Sequence, residues 1–541
     1  MTWYVGLEYD TYAEARANFS WDIPTDYNIA RDFLRKHDDP DTPALYFRDD
    51  EADRTFSFAD LDARSSQLAN ALADLGIGYG DRVAVVLPQA PENPIAHLAC
   101  WKLGAISVAM SVLFGPDSIA YRLQDSGAKV VIADTTVVET VREAAASCPD
   151  LDAVIEVGGA GDDSFADIVA GRSTDCEIAT TDAETPALVL YTSGSTGPPK
   201  GVLHTHGLWV GTSPSFLMYF ERDIDDAVFW TPADWAWIGA LGNVTFPPLH
   251  FGRPIVGSSE GSFDPEAAFS LLADFDVTHA FIPPTALRMM REVERPADRY
   301  DLALEVIASG SEPLTPEIVE WVETDFPGVT INEMYGQTEA NVFVTTCQGW
   351  FDQQLGKVGK LVPGHEMAIL DPETGEERPT GEVGEIAIRY DDDPMVYEEY
   401  LNNPEATAAS RLGEWHLTGD LGRVDEDGYL SFHARTDDVI NTSGYRVGPG
   451  EIESVLLRHP AVAQVGVIGV PDEERGEIVK AFVQLADGYE PDEELEANLR
   501  DRVRTEHSKY AYPRAITFVE SLPTTTTGKV KRRALGDDES D

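Results

Sequence analysis

Lysine is scarce in this chain. Only ten of the 40 basic side chains are lysine, and 95 Asp and Glu residues oppose them, for a formal net charge of −55. Polyphosphate partners need clustered positive charge, so a general nucleic-acid binder is excluded, and the charge argues against an anionic membrane surface as the main partner. Cysteine is sparse too. Cys100, Cys148, Cys176 and Cys347 are scattered and form no C-x-x-C, which argues against zinc and a disulfide framework and fits a reducing cytosol. No stretch approaches the ~18 apolar residues of a membrane span. The opening residues, MTWYVGLEYDTYAEARANF, carry acids and no apolar run, so no signal peptide is expected and the expected location is cytoplasmic.

What is present points to a folded protein. Trp 10, Tyr 19 and Phe 22 are too many for an expanded acidic chain, and 43% hydrophobic residues supply ordinary cores. A length of 541 residues is too long for one core and indicates two or more structural units. The acidity therefore reads as a carboxylate-coated surface of the kind found in salt-in halophiles. In molar salt the Debye length falls to about 3 Å, which screens repulsion between exposed carboxylates. In such a chain a lysine in a Gly-rich loop stands out, and Lys200 and Lys529 are so placed.

Strand-like and helical patterns alternate. Segments 82–87 (RVAVVL), 128–134 (AKVVIAD), 186–191 (PALVLY), 277–282 (VTHAFI) and 304–309 (LEVIAS) read as strands, and 91–103 (PENPIAHLACWKL) and TPEIVEWVETDF as helices. Short β-branched runs between helix-length segments indicate α/β architecture with largely parallel sheets. Near residue 420 the pattern changes. Segments 421–424 and 428–434 flank the turn Asp425-Glu426-Asp427-Gly428 and read as a β-hairpin. GEIESVLLRH, AVAQVGVIGV, IVKAFVQL and DEELEANLRDRVRTEH then form a compact α+β pattern. The expected division is a large domain, 1–435, and a C-terminal domain, 436–541.

Four segments carry chemistry. The strongest is YTSGSTGPPKG, 191–201, leaving a buried strand. Glycines and hydroxyls in such a turn point N–H and O–H donors at phosphate oxygens, and Lys200 adds a point charge. Pro198 and Pro199 separate Gly197 from Lys200, so this is not the P-loop spacing. Residues 201–203 read as another strand, and a plain hairpin loop is the alternative. The second is Tyr335-Gly336-Gln337-Thr338-Glu339. A carboxylate beside a phosphate loop suits Mg²⁺, which takes oxygen ligands and bridges phosphates; alone, Glu339 reads as a surface residue in a loop. The third joins Thr418-Gly419-Asp420 to Arg435-Thr436-Asp437-Asp438: an Asp can hold ribose hydroxyls and an Arg phosphate. The fourth, 527–533 (TGKVKRR), is the only dense basic cluster, with a solvated tail as the alternative.

Together these segments resemble the adenylate-forming (AMP-binding) superfamily, which includes acyl-CoA synthetases, luciferases and the adenylation domains of peptide synthetases. The resemblance covers essentially the whole chain, with motifs in family order and spacing. WTPADWAWIGAL (230–241), SGSEPL (309–314), MYGQTEANVF and NTSGYRVGPGEIE are most similar to medium-chain acyl-CoA synthetases. The resemblance implies a large N-terminal domain with parallel-rich sheets and a β-barrel-like part, and a small mobile α+β C-terminal domain. It implies that Thr192, Ser193, Gly194, Ser195, Thr196, Gly197 and Lys200 close over the ATP phosphates. Gly310, Ser311, Glu312 and Pro313 would border the adenine, Tyr335 would stack on it, and Glu333, Met334, Gly336 and Gln337 would complete that wall. Glu339 would bind Mg²⁺, with Thr338 beside it at the reacting phosphates. Asp420 would hold the ribose, helped by Arg435.

In the C-terminal part the resemblance makes Asp437 the hinge and Lys529 the lysine that reaches the α-phosphate. Ser443, Gly444 and Tyr445 would line the CoA thiol channel, and Arg446 and Arg475 would contact phosphate. Gly336 stands where acetate-specific relatives carry a tryptophan, which leaves the acyl pocket open to longer aliphatic or aromatic acids. Trp235 and Trp237 either wall that pocket or belong to the core. The sequence departs from the family at Ser309-Gly310-Ser311, where many relatives have a Gly-Gly pair. The implied activity uses ATP, CoA and Mg²⁺ to turn a medium-chain or aromatic carboxylic acid into its CoA thioester, releasing AMP and pyrophosphate. A short-chain (acetate or propionate) ligase is the alternative within the family, and a non-catalytic nucleotide-binding protein the alternative of another class.

Overall fold

The structure is a computed structural model and describes residues 5–49, 52–161, 163–192, 198–259, 263–436, 438, 440–442, 445–472, 476–486, 488–506, 511–524 and 530–537. Runs such as RVAVV show no polar alternation, which suits a parallel strand covered on both faces. Arg82–Val86 accordingly lies inside a seven-stranded sheet, parallel to Ile106–Ala109 on one side and Val130–Asp134 on the other. The sheet continues through Pro186–Thr192, which turns back antiparallel into Lys200–Thr205, and it ends on the two-residue strand Glu399–Tyr400.

A second sheet has 14 strands. Its parallel part runs through Pro43–Arg48, Ile255–Ser258, Phe229–Trp230, His279–Phe281, Val306–Gly310 and Thr330–Gln337. An antiparallel arm follows, from Asn341–Thr345 through Gly359–Leu361, Tyr429–Arg435, Trp415–Val424 and Gly384–Arg389 to Met367–Leu370. Among the described residues its pairing runs on from the parallel strands instead of closing on itself.

Helices Glu92–Lys102 and Leu208–Tyr219 are buried on nearly every side, as a helix between two sheets must be. Trp101 and Trp209 pack on Phe246 with ring centroids 4.8 and 5.2 Å apart, in a core that both sheets share. Helices Pro265–Asp274, Pro284–Met290 and Pro316–Asp325 cover the far face of the large sheet. Pro116–Ser126 and Val138–Ala145 cover the far face of the smaller one. The layers therefore alternate helix, sheet, helix, sheet, helix.

After Tyr429–Arg435 the chain leaves the large sheet for a five-stranded one, built from Tyr445–Val447, Ile440–Thr442, Gly476–Leu485, Val462–Asp472 and Ala515–Val519. Helices Pro449–Leu457 and Glu493–Glu506 close a separate core there around Ile452, Leu456, Val467, Val483 and Leu499. No helix among the described residues is long and apolar enough to cross a membrane.

Candidate functional site

In parallel α/β sheets ligands bind beyond the carboxyl ends of the strands. Val306–Gly310 and Thr330–Gln337 run side by side with Gly310 opposite Met334, so the segments that follow them emerge together. The approach is tight: a Cβ on Gly310 would lie 2.7 Å from the Met334 carbonyl oxygen. Ser311 then takes a left-handed conformation, φ 75°, which glycine adopts without steric cost. The loop is strapped from behind by Glu333, whose Oε1 accepts the Leu314 N–H at 3.2 Å. Burial pushes the Glu333 carboxyl up to about 7. Glu312 faces the protein as well, paired with Arg288 at 2.7 Å and accepting from Thr285 Oγ1 at 2.8 Å.

Across the strand ends, the Tyr335 hydroxyl donates to Asp420 Oδ2 at 2.7 Å. Asp420 and Arg435 are partners in the pairing of Trp415–Val424 with Tyr429–Arg435, and the guanidinium lies 3.4 Å from Oδ1. Gln337 Nε2 donates to the Thr418 carbonyl at 3.3 Å, and His416 Nε2 donates to Gln337 Oε1 at 3.2 Å. Burial drives the His416 imidazole down to about 3, so it is neutral. His204, held near 4 for the same reason, donates from Nε2 to the Thr338 carbonyl at 2.7 Å. Two neutral histidines thus fix the turn that carries Glu339.

Glu339 is 8% exposed, and desolvation raises its carboxyl above the usual carboxylate range. Its Oε1 accepts the Tyr400 hydroxyl at 2.7 Å. The Lys200 ammonium sits 4.5 Å from the centre of the same ring. Thr192 pairs with Lys200 at the mouth of the hairpin. Among the described residues neither Glu339 nor Lys200 forms an ion pair. One buried carboxylate that leaves coordination sites open fits Mg²⁺, which keeps water and substrate phosphates as its other ligands. The described residues hold no cluster of three or more His, Cys, Asp or Glu able to enclose a metal.

Gly336 has a backbone reason to be glycine. It sits at an irregularity in the pairing with Asn341–Thr345, and a Cβ there would lie 1.6 Å from the Asn341 carbonyl oxygen. The missing side chain is therefore demanded by the neighbouring strand and is not by itself a sign of acyl space. Trp235 is core, 1% exposed and packed under Gly257. Trp237 is half-buried and edge-on to Phe114 at 5.8 Å. Asp234, in the same turn, accepts from Ser111 Oγ at 2.6 Å and from the Ala236 N–H at 3.0 Å.

The structure brings Tyr335, Asp420 and Arg435 into one contact set and Glu339 and Lys200 into another, joined by the turn 335–339. Ser193, Gly194, Ser195, Thr196, Gly197, Asp437, Ser443, Gly444, Arg475 and Lys529 lie outside the described residues, as do the side chains of Tyr445 and Arg446. The loop that bears Lys529 is closed at its base by a Thr524–Val530 bridge and by the Lys531 N–H donating to the Pro523 carbonyl at 2.7 Å. Tyr400, Tyr397, His204 and His416 escape a sequence reading because none belongs to a Gly-rich or carboxylate motif. The one signal is the aromatic pair three residues apart in MVYEEY.

These side chains gather on a layered α/β frame with a separate α+β unit, and comparison with known proteins defines the class. Residues 34–401 match the AMP-binding enzyme family and residues 451–529 match the AMP-binding enzyme C-terminal domain. The chain belongs to the AMP-binding enzyme family. It is 34% identical over 535 residues to the acyl-coenzyme A synthetase ACSM4, mitochondrial, of Rattus norvegicus, covering 96% of this chain and 91% of that one. It is 34% identical over 502 residues to the acetyl-coenzyme A synthetase of Bacillus subtilis (strain 168), covering 91% and 86%. Among solved structures, the anthranilate CoA ligase AuaEII in complex with anthranoyl-AMP superposes with a TM-score of 0.87 at 28% identity, covering 96% of this chain and 99% of that one.

Proposed function

We propose that the protein is an AMP-forming acyl-CoA synthetase. The observation that carries this reading is the convergence of Tyr335, Asp420 and Arg435 with Glu339 and Lys200 at the ends of the strands. Tyr335 offers a ring to the adenine, Asp420 two oxygens to the ribose, and Arg435 and Lys200 positive charge to the phosphates. A carboxylate oxygen of the acid attacks the α-phosphorus of ATP, the bond to pyrophosphate breaks, and an acyl-adenylate forms. The CoA sulfur then attacks the acyl carbon, the carbon–oxygen bond to AMP breaks, and the thiol proton leaves to solvent. Phosphoryl transfer of this kind depends on positioning and charge neutralisation. Mg²⁺, when held by Glu339 beside Thr338, supplies charge neutralisation at the phosphate oxygens.

The division of labour follows the expected domains, 1–435 for ATP and acid and 436–541 for Lys529, the ATP phosphate contact Arg446 and the CoA-side contacts Ser443, Gly444, Tyr445 and Arg475, with Asp437 as hinge. We assign a medium-chain or aromatic acid as substrate, on the likeness to ACSM4 and AuaEII. The Bacillus relative, equally identical, favours the short-chain alternative. The net charge of −55 suits a cytoplasm rich in KCl, where repulsion of the polyanions ATP and CoA is screened. A thioester assay in molar KCl with ATP, Mg²⁺ and CoA, across straight-chain and aryl acids, tests the reading. It should yield acyl-CoA and AMP, best with a medium-chain or aryl acid. Best turnover of acetate would install the short-chain reading, and no product with any acid at any salt would install the non-catalytic one.

A further inference from the structure

Among the described lysines, Lys36, Lys102, Lys129 and Lys357 each end on an aspartate, as expected in a chain with 95 acidic residues. Lys200 does not. Its ammonium rests 4.5 Å over the ring of Tyr400, whose hydroxyl reaches Glu339 at 2.7 Å on the other side. An aromatic face holds a cation without neutralising it, so a lysine parked there keeps its charge for an incoming phosphate. A hydroxyl that donates to one carboxylate oxygen fixes the carboxylate's rotation and leaves its remaining lone pairs for a cation.

We infer that Tyr400 is a positioning residue for the proposed adenylation, one ring that holds the Mg²⁺-binding carboxylate of Glu339 and the phosphate-facing Lys200 in register. This rests on the reading of the site given above. The ring is held firmly enough for the task. Its strand, Glu399–Tyr400, pairs with Lys200–Thr205, with Tyr400 opposite Val202. The Glu398 N–H donates to the Leu203 carbonyl at 2.8 Å and the Leu401 N–H to the Gly201 carbonyl at 2.7 Å. The Tyr400 N–H donates to Thr407 Oγ1 at 2.9 Å. The same segment grips the backbone of Glu339, because the Tyr397 N–H donates to its carbonyl at 2.8 Å. Carboxylate, carbonyl and lysine are thus all referenced to residues 397–400.

The two functions of the ring separate by substitution. Tyr400→Phe keeps the face for Lys200 and removes the hydroxyl from Glu339; Tyr400→Leu removes both. Mn²⁺ serves as the probe, its binding to the protein–ATP complex measured by electron paramagnetic resonance, alongside ATP binding in EDTA. Loss of one hydrogen bond to the carboxylate should weaken Mn²⁺ binding about five- to tenfold in Tyr400→Phe, with ATP affinity in EDTA within about twofold of the parent. Tyr400→Leu should weaken both. In acid-dependent ATP–pyrophosphate exchange, Tyr400→Phe should raise the KM for Mg²⁺ and leave the KM for the acid unchanged. Parent-like Mn²⁺ binding in Tyr400→Phe overturns the inference, and so does an equal loss of Mn²⁺ and ATP binding in that variant, which would indicate general loosening. If the parent catalyses no exchange with any acid yet Tyr400→Phe selectively loses Mn²⁺, the synthetase reading falls, and with it the adenylation role, while Tyr400 stands as the residue that positions Glu339 for metal.

Discussion

Glu333 shows how a residue in a nucleotide motif can serve the protein first. Its carboxyl is buried behind the loop 310–314 and pushed from 4.5 to about 7 by desolvation. Between these values the folded state keeps a proton that the unfolded chain has lost, so stability falls as pH rises through that window and the full penalty is present above pH 7. A shift of this size corresponds to about 3 kcal/mol. Glu333→Gln keeps an oxygen for the Leu314 N–H and cannot ionise. Denaturant titrations should therefore find it more stable than the parent by up to about 3 kcal/mol at pH 8 and indistinguishable near pH 4. Equal stability at both values would mean that Glu333 ionises freely in the fold. Gly336 makes a related point. With the Asn341 oxygen where its Cβ would go, Gly336→Ala should cost roughly 1–3 kcal/mol by overpacking, and turnover should drop alike for short and long acids. A stable variant with preference shifted towards acetate would return Gly336 to the acyl pocket.

At the scale of elements, the base of the Lys529 loop is tied down on both sides. Arg532, three residues on, pairs with Asp438 at 2.6 Å and with Glu453 of helix Pro449–Leu457 at 2.6 Å. The described residue that follows the segment 525–529, Val530, is thereby joined through Arg532 to Asp438 and Glu453. Lys529→Ala should lose formation of the acyl-adenylate yet still convert supplied acyl-adenylate and CoA to thioester, each half-reaction followed separately. Equal failure of both would remove Lys529 from adenylation. The longer elements could be read from sequence because their patterns are local. RVAVV, the hairpin around 425–428 and the helix at 316–325 all stand where periodicity places them. Phe229–Trp230 and Glu399–Tyr400, two residues each, are too short to carry a period. Tyr400 became visible only through pairing with a strand nearly two hundred residues earlier.

At the scale of the whole molecule, strand order is the part that sequence cannot supply. A 14-stranded sheet passes from parallel to antiparallel at Thr330–Gln337, and this change puts Asp420 and Arg435 within reach of Tyr335. The motifs themselves were evident as glycines, carboxylates and isolated lysines. Their contacts within the protein were not: Glu312 pairs with Arg288, Glu333 holds the Leu314 N–H, and Gly336 lies against Asn341. The acidity of the chain frames the site by contrast: four of the described lysines end on an aspartate, and Lys200 is kept on a ring. The central claim, that a carboxylate oxygen becomes bonded to the α-phosphorus of ATP, is open to one direct measurement. With the acid labelled by ¹⁸O in its carboxylate, a single round of thioester synthesis should place one labelled oxygen in the phosphate of AMP and none in pyrophosphate. AMP without label, or label in inorganic phosphate alongside ADP, would contradict an acyl-adenylate route.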